Sequence, residues 1–179
     1  MAEYFGGILA ASRSADPTAD RGLTWASLVA RLATHDVLFH YVLYSAFRAA
    51  YADRQDLDLG DINVRRTCKT FLPVDETFDV LGLDRQSWRL LSDSVIALER
   101  ESLIELVTLG ARAYLQPFTS SPIPDDGLMF VPTAAGLQLF LWAHGHGHQP
   151  SRAVLSEDLE FVTHEELRTV EHPSQVASS

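Results

Sequence analysis

The chain has 179 residues, 46% of them hydrophobic and 21% charged, with a formal net charge of −10 from 14 Lys+Arg against 24 Asp+Glu. That composition supports one sizeable core and weighs against a polyanionic partner, because a chain this acidic repels phosphate unless its cations gather on one face. A single cysteine, Cys68, excludes an internal disulfide and a cysteine-built zinc site. No uncharged apolar run approaches the ~18 residues of a membrane helix.

Residues 1–7 lack the basic start of a secretory signal, so the expected setting is the cytoplasm, with no membrane association. Residues 3–12 predict a short helix, with Tyr4, Phe5, Ile8 and Leu9 clustered. Residues 12–22 are turn formers and predict a loop. Thr24 is placed to cap a helix carrying Trp25, Leu28, Val29 and Leu32 at helical spacing. Thr34 or Asp36 is placed to cap a second helix running to Tyr51, apolar on nearly every side across 37–47. Such a helix is either central in its own molecule or covered by a partner chain.

Residues 53–61 are acidic and break the helix. Phe71-Leu72-Pro73-Val74 reads as extended chain, since the residue before proline is pushed out of the helical region. Asp84 opens a helical pattern through Trp88, Leu91, Val95, Ile96 and Leu98 that runs out into a strand near Leu103-Ile104. A loop at 119–127 separates this from a second short strand, Leu128-Met129-Phe130-Val131. Thr133 then caps a helix with Leu137, Phe140 and Leu141 on one side, and His144-Gly145 ends it. Residues 155–170 predict one more short helix. Six acids against Arg168 give the stretch 157–171 a charge of −5, half of the total.

Helix, strand, loop, strand, helix is the order of a winged helix. Leu98-Glu99-Arg100-Glu101-Ser102-Leu103-Ile104 followed by Val131-Pro132-Thr133-Ala134-Ala135-Gly136 resembles the helix exit and the threonine–glycine helix start of many winged-helix proteins. The fold expected is mainly α with a small β-hairpin, N-terminal helices packing on a winged-helix-like C-terminal unit. The divisions are 1–83 (helical), 84–148 (winged-helix-like) and 149–179 (acidic tail), together one domain. Across most of the chain, Tyr4-Phe5-Gly6-Gly7-Ile8-Leu9-Ala10-Ala11-Ser12-Arg13-Ser14, Asp20-Arg21-Gly22 and His40-Tyr41-Val42-Leu43-Tyr44 resemble bacterial proteins associated with the Abi-alpha group of abortive-infection proteins. The resemblance implies a phage-defence setting and carries no catalytic motif with it.

Three groups of residues could hold chemistry. His144, His146 and His148 alternate as metal ligands can, with His164 or His172 able to join; the competing reading is a solvated helix end. Arg13, Asp16, Asp20 and Arg21 crowd one loop, with His35, Asp36 and His40 on a nearby helix. They suit acid–base or phosphate chemistry, or simply a loop held by Arg–Asp pairs. Arg65, Arg66 and Lys69 are the densest cations, suited to nucleic acid, an acidic partner, or pairing with 53–61. The predicted recognition helix sets Arg89 and Arg100 against Asp93, Glu99 and Glu101, a poor balance for a phosphate backbone. Cys68 lies near Arg66 and Lys69 and reads as an inert thiol. Trp25, Trp88 and Trp142 read as core or interface anchors.

The expectation is therefore a non-enzymatic protein without cofactor that meets a protein partner or itself through the winged-helix-like unit. The alternatives are a DNA-binding winged-helix regulator and a metal-dependent enzyme built on the three alternating histidines.

Overall fold

The structure, a computed structural model, describes residues 20–119 and 122–161. The helix expected at 3–12, the residues Arg13 and Asp16, and His164 and His172 lie outside them. Of Asp20 and Arg21 only the backbone is described.

The first helix, α1 (Asp20–Val29), begins earlier than Thr24, which falls within it. Helix α2 (Thr34–Ala50) starts at Ala33, whose N–H donates to Asp36 Oδ2 at 2.8 Å. Asp36 thus serves α2 from its first turn, where a carboxylate meets unsatisfied N–H groups and the positive end of the helix dipole. Every residue from Phe39 to Phe47 is buried. The helix is therefore central in its own chain, wrapped by the elements that follow, and needs no partner to cover it. Each large apolar side chain buried there contributes up to about 1.5–3 kcal/mol.

After α3 (Ile62–Thr67) comes β1 (Thr70–Pro73), then α4 (Val74–Leu81) and, past a single 3-10 turn, α5 (Trp88–Arg100). Strands β2 (Ile104–Gly110) and β3 (Gly127–Pro132) flank a connection holding the short helix α6 (Arg112–Leu115). Helix α7 (Ala134–Ala143) closes the series. The expected two-stranded hairpin is one part of a three-stranded antiparallel sheet of order β1-β3-β2. Thr70 pairs with Phe130 and Pro73 with Gly127, so the extended stretch at 70–73 is an edge strand. Proline, which lacks an N–H, is tolerated at such an edge. Because β1 comes from one side of residue 83 and β3 from the other, that position is no packing boundary. One core joins Val37, Phe47, Leu72, Leu98, Phe130 and Phe140.

The corner between α5 and β2 is tightly tied. Ser102 takes a positive φ of 58° as α5 ends, and Leu103 N bonds back to Leu98 O at 2.9 Å. The Tyr44 hydroxyl, on α2, donates to Leu103 O and accepts from Thr133 N at 3.1 Å. Thr133 Oγ1 accepts from Gly136 N at 2.9 Å and donates to Ser102 O at 2.7 Å. A Cβ at Gly136 would collide with the Tyr44 hydroxyl and the Leu103 carbonyl. The threonine–glycine start of α7 thus lets helix, strand and central tyrosine meet at one point. Beyond it, residues 151–155 form a 3-10 turn and 156–161 are not helical, so the helix expected at 155–170 does not form over its described part.

Candidate functional site

Helix α5 has two faces. Leu91, Ser94, Val95, Ala97 and Leu98 are buried against the core. Trp88, Arg89, Asp93, Ile96, Glu99 and Arg100 lie on the outside. Trp88 and Ile96, two turns apart and so on one stripe, are 39% and 60% exposed. Trp88 is therefore a surface residue at the mouth of a cavity, which excludes the core half of the expected core-or-interface role. Its ring meets Phe78 of α4 edge-on, centroids 6.1 Å apart.

The charges on this face largely answer one another. Arg89 Nε stands 3.9 Å from Asp93 Oδ2, and Arg100 Nε 3.3 Å from Glu101 Oε1. Glu101 is also gripped by Arg31, whose Nε and Nη2 donate to Oε2 at 3.2 and 2.7 Å. The Arg31 guanidinium holds the Glu101 carboxyl below its usual range. The α5 surface therefore alternates exposed apolar groups with paired ions.

Beside Trp88, a cavity of about 220 Å³ is lined by Val74, Asp75, Phe78, Trp88, Asp125 and Asp126. Two backbone-directed bonds build its wall. Val74 N donates to Asp126 O at 3.0 Å, fixing the end of the β2–β3 connection against the start of α4. Arg112 N donates to Asp126 Oδ1 at 3.0 Å, closing that connection on itself. Glu76, in the next position of α4, has its carboxyl pushed up by burial and, less, by the charge of Asp79. The sequence hid this site because Asp75 and the Asp125–Asp126 pair meet only through the sheet.

The sequence-chosen groups fare differently. His144 Nδ1 lies 2.8 Å from Phe140 O, and its ring packs among Tyr41, Phe140 and Phe161. His146 Nε2 lies 2.9 Å from Glu160 O, and His148 meets Gln149. Among the described residues no three His, Cys, Asp or Glu side chains are grouped to hold a metal ion. The intervening glycines have backbone reasons instead. Gly145 takes φ 79° to end α7, with His146 N bonded to Leu141 O at 2.8 Å. At Gly147 a Cβ would strike the Trp142 ring.

His40 is wholly buried, and burial pushes its pKa down from 6.5 to about 3. His35 Nε2 lies 3.3 Å from Asp36 Oδ1, a contact between chain neighbours. The three basic residues separate. Buried Arg65 donates to Leu59 O and Gly60 O at 2.7 and 2.9 Å, Arg66 reaches Glu105 at 3.5 Å, and Lys69 Nζ reaches Phe118 O at 3.2 Å. Cys68 is buried, and burial pushes its thiol up. None of the described helices is long and apolar enough to cross a membrane.

Comparison with known proteins returns no matching family model, no matching curated protein and no matching solved structure.

Proposed function

We propose that this chain is a non-enzymatic, cytoplasmic protein-contact module whose winged-helix-like unit presents α5 to another protein surface, a second copy included. Its element order supports the winged-helix reading. A helix (α2), an edge strand (β1), two helices (α4, α5) and two antiparallel strands (β2, β3) surround a sheet of order β1-β3-β2. In that reading α5 occupies the recognition position and the connection 111–126 the wing. The observation that carries the protein-contact reading is the outer stripe of α5, where Trp88 and Ile96 stand exposed among ions of opposite sign. Aromatic and aliphatic groups of this kind anchor protein interfaces. The Abi-alpha resemblance suggests phage defence as the setting.

A DNA-binding regulator is the second reading, favoured by the same element order. It requires cations where α5 and the wing would meet phosphate. There Arg89 and Arg100 are offset by Asp93, Glu99 and Glu101, and Arg112 by Asp125 and Asp126.

Sedimentation equilibrium of the full chain tests the leading reading. The wild type is expected to associate with rising concentration. Ile96→Glu, a change on an exposed position, should weaken that association about tenfold or more, or about 1.4 kcal/mol, with unchanged circular dichroism. A wild type that stays monomeric while binding duplex DNA would favour the regulator.

A further inference from the structure

We infer that the outer edge of β2 pairs with the same strand of a second copy, antiparallel about a two-fold axis at Thr108. The contact is separate from the α5 stripe. β2 is an end strand of the sheet. Its inner edge lies on β3, and among the described residues no other backbone group bonds to residues 106–110. Such an edge is a row of unmet donors and acceptors, and its complement is another strand. The opposite edge is guarded, since β1 ends in Pro73 and leads at once into α4. β2 holds neither proline nor lysine, and its one charged residue, Glu105, is met by Arg66 at 3.5 Å. The core is also left unfinished here: Val107 and Leu109 pack against it yet stay half-buried, and Leu106 is 59% exposed.

The strand is complementary to itself. In an antiparallel pair, facing residues turn their backbone groups both toward or both away from each other, and the two kinds alternate along each strand. A strand pairing with its own copy therefore has its axis on a residue, never between two. With the axis at Thr108, Val107 faces Leu109 of the second copy, and Leu109 faces its Val107. Each half-buried pair is closed by its counterpart, which carries the core across the axis. Thr108 meets its own counterpart, a pairing that strands favour. Leu106 falls opposite Gly110, over which the 58%-exposed Tyr114 ring lies. Two apolar groups that one chain leaves in solvent thus come together. Charge agrees. The chain carries −10, so much of its surface repels a copy, whereas residues 106–111 carry no charge. The bulge between Glu105 and Thr108, with Leu106 at φ 52°, confines the pairing to residues 106–110.

The test uses full-length Thr108→Cys, with Asn63→Cys, at an exposed position on α3, as control. Facing residues on paired strands stand about 4.5–5.5 Å apart at Cα, within reach of a disulfide. Under mild oxidation Thr108→Cys should form a covalent dimer about tenfold faster than the control or more, bridged 108 to 108 by mass spectrometry. Adding Leu106→Lys, a charge at an exposed edge position, should slow that bridging about tenfold or more, with unchanged circular dichroism. Ile96→Glu should leave the bridging rate within about twofold. Bridging no faster than the control, or indifferent to Leu106→Lys, overturns the inference; association that Ile96→Glu abolishes would then still uphold the α5 contact. Rapid bridging, with association untouched by Ile96→Glu, upholds the strand pairing and dismisses α5 as a self-contact. A chain that stays monomeric yet binds a free peptide of residues 103–111 gives the edge to a lone strand and overturns the pairing of whole copies.

Discussion

His40 occupies the middle of α2 with no exposed surface, its ring centroid 4.5 Å from that of Tyr44. The folded chain resists its protonation down to about pH 3, whereas the unfolded chain takes up that proton near 6.5. Stability tied to His40 is therefore complete above pH 6.5 and drains away as pH falls toward 3, at about 1.4 kcal/mol per unit. Urea unfolding of the wild type and His40→Leu at a series of pH values should show the wild type losing this extra stability on acidification and the variant lacking that component. Tyr44, one turn on, makes a second prediction. Tyr44→Phe leaves Leu103 O and Thr133 N without their shared partner. An unmet buried polar group costs about 1–3 kcal/mol, so the variant should lose about 3 kcal/mol in the same assay. The sequence marked His40 as a candidate for polar chemistry and placed Tyr44 only in the run that carries the family resemblance. What it concealed was direction: the buried ring and the hydroxyl face the chain's own corners, where they lock packing.

Local signals carried the elements well where both halves lie close in sequence. Thr133 caps α7 by bonding Gly136 three residues on, and Gly145 ends the same helix, both readable from residue type and spacing. The pairing of β1 with β3 was not readable, because Phe71-Leu72-Pro73 shows only that the chain is extended and says nothing of which distant strand it meets. The His-Gly-His-Gly-His run misled for a related reason. Its period looks like a ligand pattern, while the glycines answer a helix end and the Trp142 ring. At the α5–β2 corner, Ser102 sits at φ 58°, where a side chain is unfavourable. Ser102→Gly should raise stability by about 0.5–1 kcal/mol in thermal or urea unfolding. No gain would mean that the corner is relaxed with serine in place.

At the scale of the whole molecule, burial and charge decide which surfaces are available. The apolar stretch 37–47 is spent inside the core, so the case for a contact surface moves from α2 to the outer stripe of α5. Composition already pointed away from polyanions, and the fold keeps that bias: Arg65 is turned inward, while Arg66 and Lys69 lie on Glu105 and Phe118 O. The most direct test is fluorescence anisotropy of a labelled DNA duplex titrated with the full chain at about 50 mM salt, where phosphate contacts are strong. The account predicts no saturable rise up to on the order of 100 µM protein, the weak end of ordinary non-specific binding. Tight binding that falls steeply with salt and is lost in Arg89→Ala with Arg100→Ala would contradict it.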